Sequence, residues 1–315
     1  MMRKVIGIGE IILDIIFKDE QPFIAVPGGS VFNGMISLSR MGIPVSFIGE
    51  TGNDRVGQII TGFMQANGLT TDYIIHSDHR KTPVSLAFLN ETNNAEYVFY
   101  THHSVSPVNA RFPIINENDI LVFGSYYALN PFLRERIVRL LEYAKSQKAI
   151  IYYDPNFRKS HAREAEQVRS SVTENYRFAD IVRGSDEDFL TLYGKTEMEQ
   201  VYREDVQPYC KRFITTHGPQ GINLFTETLQ LHYDVPPVET VSTIGAGDNF
   251  NAGLIYGLLK YNIGSDALPS INETDWGKII QCGIDFATKV CQSDSNYIST
   301  DFFYTFATSI TDKIK

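Results

Sequence analysis

The chain has 315 residues, 43% of them hydrophobic, and a formal net charge of −9 from 28 Lys and Arg against 37 Asp and Glu. That length suits one large α/β domain or two modest ones, and the apolar share is enough for a substantial core. The acidic balance excludes a broad nucleic-acid-binding face, which needs clustered Lys and Arg, but leaves room for a local basic spot that meets a phosphate.

The N-terminal run MMRKVIGIGEIILDIIF begins like a signal peptide, but Glu10 and Asp14 interrupt it and no small-residue cleavage site follows. It reads as a buried first strand. A hairpin is expected in TPVSLAFLNETNNAEYVFYTHHS, Thr82 to Ser104, around a polar turn at Asn90 to Ala95. The stretch from Ile11 to Val26, ending at Pro27, also has strand character, and the two together suggest a small sheet standing off the main domain as a lid. The competing reading is a hairpin packed on the main core. NGMISLSRMG has helical spacing and a Gly42 stop.

Further along, DILVFGS, AIIYYDPN, ADIVRGS and RFITTHG read as apolar strands. NPFLRERIVRLLEYAKSQ reads as a helix with Leu133, Ile137, Leu140, Leu141 and Ala144 on one face. This strand–helix rhythm predicts a mostly parallel sheet covered on both faces. Ligands of such sheets bind beyond the carboxyl ends of the strands. The candidates there are Asp14, Gly124-Ser125, Asp154 with Asn156 and Arg158, Arg183 to Asp188, and Thr216 to Gly218.

Cys210, Cys282 and Cys291 are an odd, scattered set without a C-x-x-C, as expected of free thiols in a reducing compartment. The adjacent pair His102-His103 reads as a solvated strand end rather than a metal site. No apolar stretch reaches membrane-spanning length. The expectation is a soluble cytoplasmic protein with neither a membrane nor a nucleic acid as partner.

The stretch VSTIGAGDNFNAGL, Val241 to Leu254, carries the chemistry. Phe250, Leu254, Leu258 and Leu259 fit a helix, so Gly245, Ala246 and Gly247 fall at its N-terminus. Free N–H groups and the positive end of the dipole point outward there, and small residues let an anion come close. Asp248 is then either a first-turn helix cap or a general base beside that anion hole. No G-x-x-x-x-G-K-[ST] occurs, and GIGE lacks the third glycine of a dinucleotide fingerprint, so neither a P-loop nor hydride transfer is supported.

Two distant segments resemble the signatures of the ribokinase-like (PfkB) carbohydrate kinases. GGSVFNGMISLSRMGIPVSFIGETGNDRVG holds Gly28, Gly29, Asn33, Gly42, Gly49, Gly52, Asp54 and Gly57 in register with the first, and STIGAGDNFNAG resembles the second. DPNFR at Asp154 to Arg158 and TTHGPQG at Thr215 to Gly221 also fit, in order, so the resemblance spans nearly the whole chain. It implies one ribokinase-like domain over 1–315, a three-layer α/β fold with a mostly parallel sheet and a β-sheet lid from about 11–27 and 82–104. It also implies ATP as phosphoryl donor, Mg²⁺, a sugar hydroxyl as acceptor, and a homodimer through the lid. By position, Asp248 becomes the catalytic base and Gly245, Ala246 and Gly247 the anion hole. Asp14, Gly28, Gly29, Asn33 and Arg158 fall to the sugar, and Thr216, Gly218, Gly221 and Ser185 to the nucleotide. Lid side chains are expected to decide which sugar binds, with Tyr97, Phe99 and His102 as the candidates.

GSYYALNP with DPNFR looks most like the fructokinase and 2-keto-3-deoxygluconate kinase branch. A nucleoside kinase and a catalytically silent binding relative are the rival readings. The family's Asn-x-x-Glu is here SDED, with Ser185 for Asn and Asp188 for Glu as the Mg²⁺ residue acting through water; Glu187 substitutes if the register slips. Ser242 stands where many relatives carry an Asp that helps bind a monovalent cation, so K⁺ activation is expected to be weak or absent. Met35 replaces a small residue, for which local repacking is expected.

Overall fold

The computed structural model describes residues 3–89, 95–100 and 111–304. The first half contains β1 (Val5–Ile8), β2 (Ile12–Lys18), β3 (Gln21–Gly28), α1 (Ser30–Arg40), β4 (Val45–Gly52), α2 (Arg55–Ala66), β5 (Ile74–Ser77), β6 (Val84–Leu89), β7 (Ala95–Tyr100), β8 (Ile120–Gly124) and α3 (Arg134–Ser146). The second half contains β9 (Ile150–Asp154), α4 (Ala165–Phe178), β10 (Ile181–Ser185), α5 (Asp186–Tyr193), α6 (Met198–Val201), β11 (Phe213–Thr216), β12 (Ile222–Phe225), β13 (Gln230–Tyr233), α7 (Ala246–Lys260) and α8 (Glu273–Cys291).

Nine strands form one sheet in the order β13-β12-β11-β10-β9-β8-β1-β4-β5. All neighbours from β11 to β5 run parallel, and only β12 and β13 are antiparallel. The sheet is buried on both faces because successive residues of its apolar runs point to opposite sides. Val122 and Tyr152 join a core with α1, α2, α7 and α8, whereas Phe123 and Tyr153 join one with α3, α4, α5 and α6. The result is three layers, as the strand–helix rhythm predicts. The antiparallel β12–β13 edge breaks that rhythm.

The first apolar run is two strands rather than one. It breaks after Ile8, and β2 leaves for a second sheet of order β3-β2-β6-β7. Asp14 therefore lies within β2, not at the carboxyl end of a central strand. Met35, at a position expected to need local repacking, is accommodated by a glycine: its Cγ lies 2.7 Å from where a Gly7 Cβ would be. In the second sheet β2 pairs parallel with β6, Leu13 against Val84, and antiparallel with β3 through a turn at Asp19 and Glu20. Phe23, Phe99 and Tyr100 are exposed on it. Residues 90–94 and 101–110, which include most of the expected turn, His102 and His103, lie outside the described residues.

Asp54 explains much of the first signature. It caps α2 by accepting from Gly57 N–H at 2.9 Å, and accepts from Thr82 N–H and Oγ1, both at 2.8 Å. Thr82 Oγ1 in turn accepts from Gly52 N–H at 2.9 Å. One carboxylate thus ties α2 to the approach of β6 and so fixes how the small sheet leaves the large one. Burial alone would raise its pKa, but the bonds from Gly57 and Thr82 to the charged form, with the charge of Lys81, together outweigh it and the net shift is downward.

Candidate active site

The second signature builds the start of α7. Gly245 is its N-cap at φ 77°, a conformation that costs a residue with a Cβ, and a methyl there would meet the Asn296 carbonyl oxygen at 2.7 Å. The helix is pressed on α8 by Gly253, where a side chain would collide with the Cys282 carbonyl. Ala246 N–H donates to Thr243 O at 3.2 Å, so of the three expected anion-hole residues Ala246 is the one already engaged.

The helix has no side-chain cap at Gly245. Asp248, at the third helical position, turns instead to α1, where its Oδ2 accepts from Asn33 Nδ2 at 2.8 Å. Both side chains are buried. Asn33 is placed by Gly29, the N-cap of α1 at φ 133°, and Gly28 keeps the backbone of β3 against the Asp14 carboxylate with no room for a Cβ. Asp14 accepts from Ser85 Oγ on the neighbouring β6. The structure thus brings Asp14, Gly28, Gly29, Asn33 and Asp248 to one place from β2, β3, α1 and α7.

Burial raises the Asp248 pKa to about 6, with Asp154 adding to the rise while Asn33, Arg158 and Ser30 oppose it. Burial likewise raises Asp14 to about 6, Ser85 opposing and Asp248 adding. Glu10, in the break between β1 and β2, is pushed up to about 7 by burial and then by Asp14. Three carboxyl groups therefore lie within one another's field, which favours neutral hydroxyls over an additional anion at that end. The Tyr97 ring is partly exposed, but its hydroxyl lies in the field of Asp14, Arg158 and Asp248, and burial pushes it up.

On the other side of α7 lies a buried ion pair. Arg183 on β10 donates Nη1 to Asp154 Oδ2 at 2.9 Å and Nη2 to Thr216 Oγ1 at 2.7 Å. Its Nη1 lies 3.2 Å from where a Gly247 Cβ would be. The guanidinium therefore joins Thr216 to the underside of the glycine turn. Burial alone would lower its pKa, but Asp154 more than offsets this and the net shift is upward. Asp154 also accepts from Asn251 Nδ2 at 2.6 Å, and Asn251 Oδ1 accepts from Tyr152 at 2.8 Å. Asn251 follows Asp248 by three residues on one helix, a spacing that could have marked it. Neither Asn251 nor Glu10 was recognised from sequence. Arg158 is exposed, and its charge acts on Asp248 and Asp188. Gly218 and Gly221 flank a tight turn after β11, at φ 55° and 101°.

Ser185 and Asp188 form a capping box on α5. Asp188 Oδ2 accepts from Ser185 N–H at 2.8 Å and from Ser185 Oγ at 2.7 Å. Burial raises Asp188, against Arg158. Ser242 Oγ accepts from Ile244 N–H at 3.2 Å. Among the described residues no group of three or more His, Cys, Asp or Glu is placed to hold a metal by itself, and no helix is long and apolar enough to cross a membrane.

A model of the family described as pfkB family carbohydrate kinase matches residues 2–301. The chain belongs to that family. As a carbohydrate kinase it is similar to probable fructokinase-4 of Arabidopsis thaliana, 25% identical over 263 residues that cover 80% of this chain and 81% of the relative. Fructokinase-1 of Zea mays is 26% identical over 270 residues, covering 81% and 83%. Two solved kinases share the fold. A fructokinase from Vibrio cholerae O395 in fructose, ADP and calcium ion bound form matches at TM-score 0.84 and 20% identity, covering 97% of this chain and 99% of the other. Aminoimidazole riboside kinase from Salmonella enterica, complexed with aminoimidazole riboside and an ATP analog, matches at 0.80 and 21%, covering 96% and 99%.

Proposed function

We propose that this carbohydrate kinase transfers a phosphoryl group from ATP to a hydroxyl of a fructose-like sugar, with Asp248 as the general base. The observation that carries this reading is the Asn33–Asp248 bond: a carboxylate that leaves its own helix N-terminus uncapped, buried beside Asp14 and next to the glycine turn. Asp14 and Asn33 accept and donate to vicinal hydroxyls, and Asn33 Oδ1 is buried without a hydrogen-bond partner among the described residues. Gly28 and Gly29 serve the sugar through the backbone, which closes on the Asp14 carboxylate and the Glu10 carbonyl and so sets Asp14 beside Asn33. Asp248 accepts the proton of the attacking hydroxyl, a contribution of typically about 10²–10⁴ in rate. The N–H groups of Gly245 and Gly247 face the charge that develops on the transferring group, and Arg158 approaches from the open side.

The nucleotide lies along Thr216, Gly218, Gly221 and Ser185. A divalent cation, Mg²⁺ in this reading, would neutralise phosphate oxygens when bound with the nucleotide, and Asp188 is the carboxylate that would hold it through water. Ser242 supplies no charge to a monovalent cation, so K⁺ stimulates little. Assays with and without K⁺ check this, and severalfold stimulation would overturn it. The whole chain acts as one kinase domain, and the small sheet closes over the cleft as its lid to keep water from the phosphoryl group. The exposed Phe23 and Phe99 on that sheet favour pairing with a second copy, and light scattering of the full chain tests that.

ADP release across a panel of ketoses, aldoses, keto-sugar-acids and nucleosides tests the function. Turnover on fructose-like sugars is expected. Turnover only on nucleosides would replace the substrate class, and sugar binding without turnover would replace the activity.

A further inference from the structure

A half-open concavity lies between the end of α1 and the loop that follows α8, with a wall more apolar than polar into which two cations and several hydroxyl-bearing residues are set. It has a volume of about 270 Å³ and is lined by Arg40 and Lys289 with Ser295, Tyr297, Ser299 and Thr300 among others. No carboxylate lines it among the described residues, in a chain of net charge −9. Each cation stands in the last turn of its helix, where it offsets the dipole. That role does not require the two helices to bring them to one hollow.

Part of the lining is already engaged, and part keeps donors to spare. Arg40 gives Nε to Asn67 Oδ1 and Nη1 to Ile298 O, both at 2.7 Å, which leaves Nη2 without an acceptor among the described residues. Lys289 is exposed and makes no ion pair there, and the side-chain hydroxyls of Ser299 and Thr300 make no hydrogen bond there. The volume equals that of roughly nine waters, which is more than a bare phosphate needs and close to a small phosphate ester.

The wall is also wired to the active site. Arg40 covers the Tyr297 ring at 5.2 Å, and the Tyr297 hydroxyl donates to Pro27 O, the carbonyl just before Gly28 and Gly29. Ile298 N–H donates to Ser37 Oγ at 3.2 Å, Ser37 Oγ donates to Asn249 Oδ1, and Asn249 Nδ2 donates to Gly245 O and Asn296 O, both at 2.8 Å. One loop thus touches both glycine turns.

We propose that this hollow binds a small phosphoryl anion, inorganic phosphate or a sugar phosphate, and that the Tyr297–Pro27 bond passes its occupancy to the sugar-binding glycines. The binding half stands without the proposed function, while the coupling half rests on it. Calorimetric titration of the full chain with inorganic phosphate, and separately with a hexose monophosphate, tests the first. Lys289→Glu is expected to weaken binding about tenfold or more, whereas Gly247→Val, which blocks the glycine turn, leaves this site intact. A hexose monophosphate binding about tenfold tighter than phosphate identifies the ester as ligand, and equal affinities identify the phosphoryl group alone. Binding abolished by Gly247→Val and untouched by Lys289→Glu, or no binding of either anion, overturns the proposal. For the second half, Tyr297→Phe is expected to keep phosphate binding while removing its effect on the KM for sugar. A phosphate effect on KM that survives in this variant refutes the coupling alone.

Discussion

Replacing Asp248 by Asn should stabilise the protein while removing its turnover, and the gain should depend on pH. In the folded state burial raises the Asp248 pKa from 3.8 to about 6. A carboxyl group whose pKa is raised by folding stabilises the fold below its unfolded pKa and loses that contribution as pH climbs to the folded value. The loss therefore accumulates between pH 4 and 6 and is complete above that. A rise of this size amounts to about 3 kcal/mol at neutral pH. With an unfolding entropy of about 2.1 cal/mol/K per residue, a chain of this size gains roughly 1.5 °C per kcal/mol. Asn keeps an oxygen for Asn33 Nδ2 and carries no charge to desolvate. Thermal melts of both proteins should then differ by about 4–5 °C at pH 8 and about half that at pH 5, with the variant higher in each case. A difference that does not change with pH, or a variant that melts lower at pH 8, would refute the electrostatic account. Near-normal turnover in the variant would refute its role as base.

The same carboxylate should set the acid limb of the kcat/KM profile, which falls about tenfold per pH unit below a midpoint near pH 6. Asn33→Ala removes a bond to the charged form that is typically worth about 1.5 kcal/mol, so the midpoint should rise by roughly one pH unit, and an unmoved limb would separate Asn33 from the base. Gly245→Ala forces a methyl into φ 77° and against Asn296 O, and should cost about 2 kcal/mol in denaturant unfolding; no loss would mean the turn relaxes freely. Asp54→Ala should cost about 1–2 kcal/mol through the α2 cap while leaving kcat unchanged, and a kcat loss without instability would assign it to chemistry. Asp188→Ala should raise the Mg²⁺ concentration needed for half-maximal rate about tenfold, whereas Ser185→Ala should lower stability by about 1 kcal/mol with the Mg²⁺ requirement unchanged; equal Mg²⁺ curves for both would leave Asp188 a helix cap only.

The central sheet was legible because parallel strands buried on both faces keep continuous apolar runs, as in Ile120–Gly124 and Ile150–Asp154. The same property hid the break after Ile8, since β1 and β2 are both apolar and no turn residue stronger than Gly9 separates them. What decides that break is long-range. β1 is drawn between β4 and β8, while β2 finds β6, some seventy residues on in register at Leu13 and Val84. The β12–β13 edge was missed because Ile222–Phe225 and Gln230–Tyr233 are only four residues each, too short for their alternation to stand out.

In the site, residue types were legible and their pairings were not. Asn33 and Asp248 are 215 positions apart, and no local period links them; the shared family pattern did. Arg183 and Asp154 each stood at a strand end, but nothing in sequence says that one neutralises the other beneath Gly247. Ser185 and Asp188 read from sequence as a departure from the family's Asn-x-x-Glu, with Asp188 keeping the charge on a shorter side chain. In the fold they are one arrangement: a serine N-cap and an aspartate three residues on close a capping box in which the shorter acid reaches both the N–H and the hydroxyl of Ser185. Removing either side chain would leave its partner in the box without that hydrogen bond, so the two residues act together.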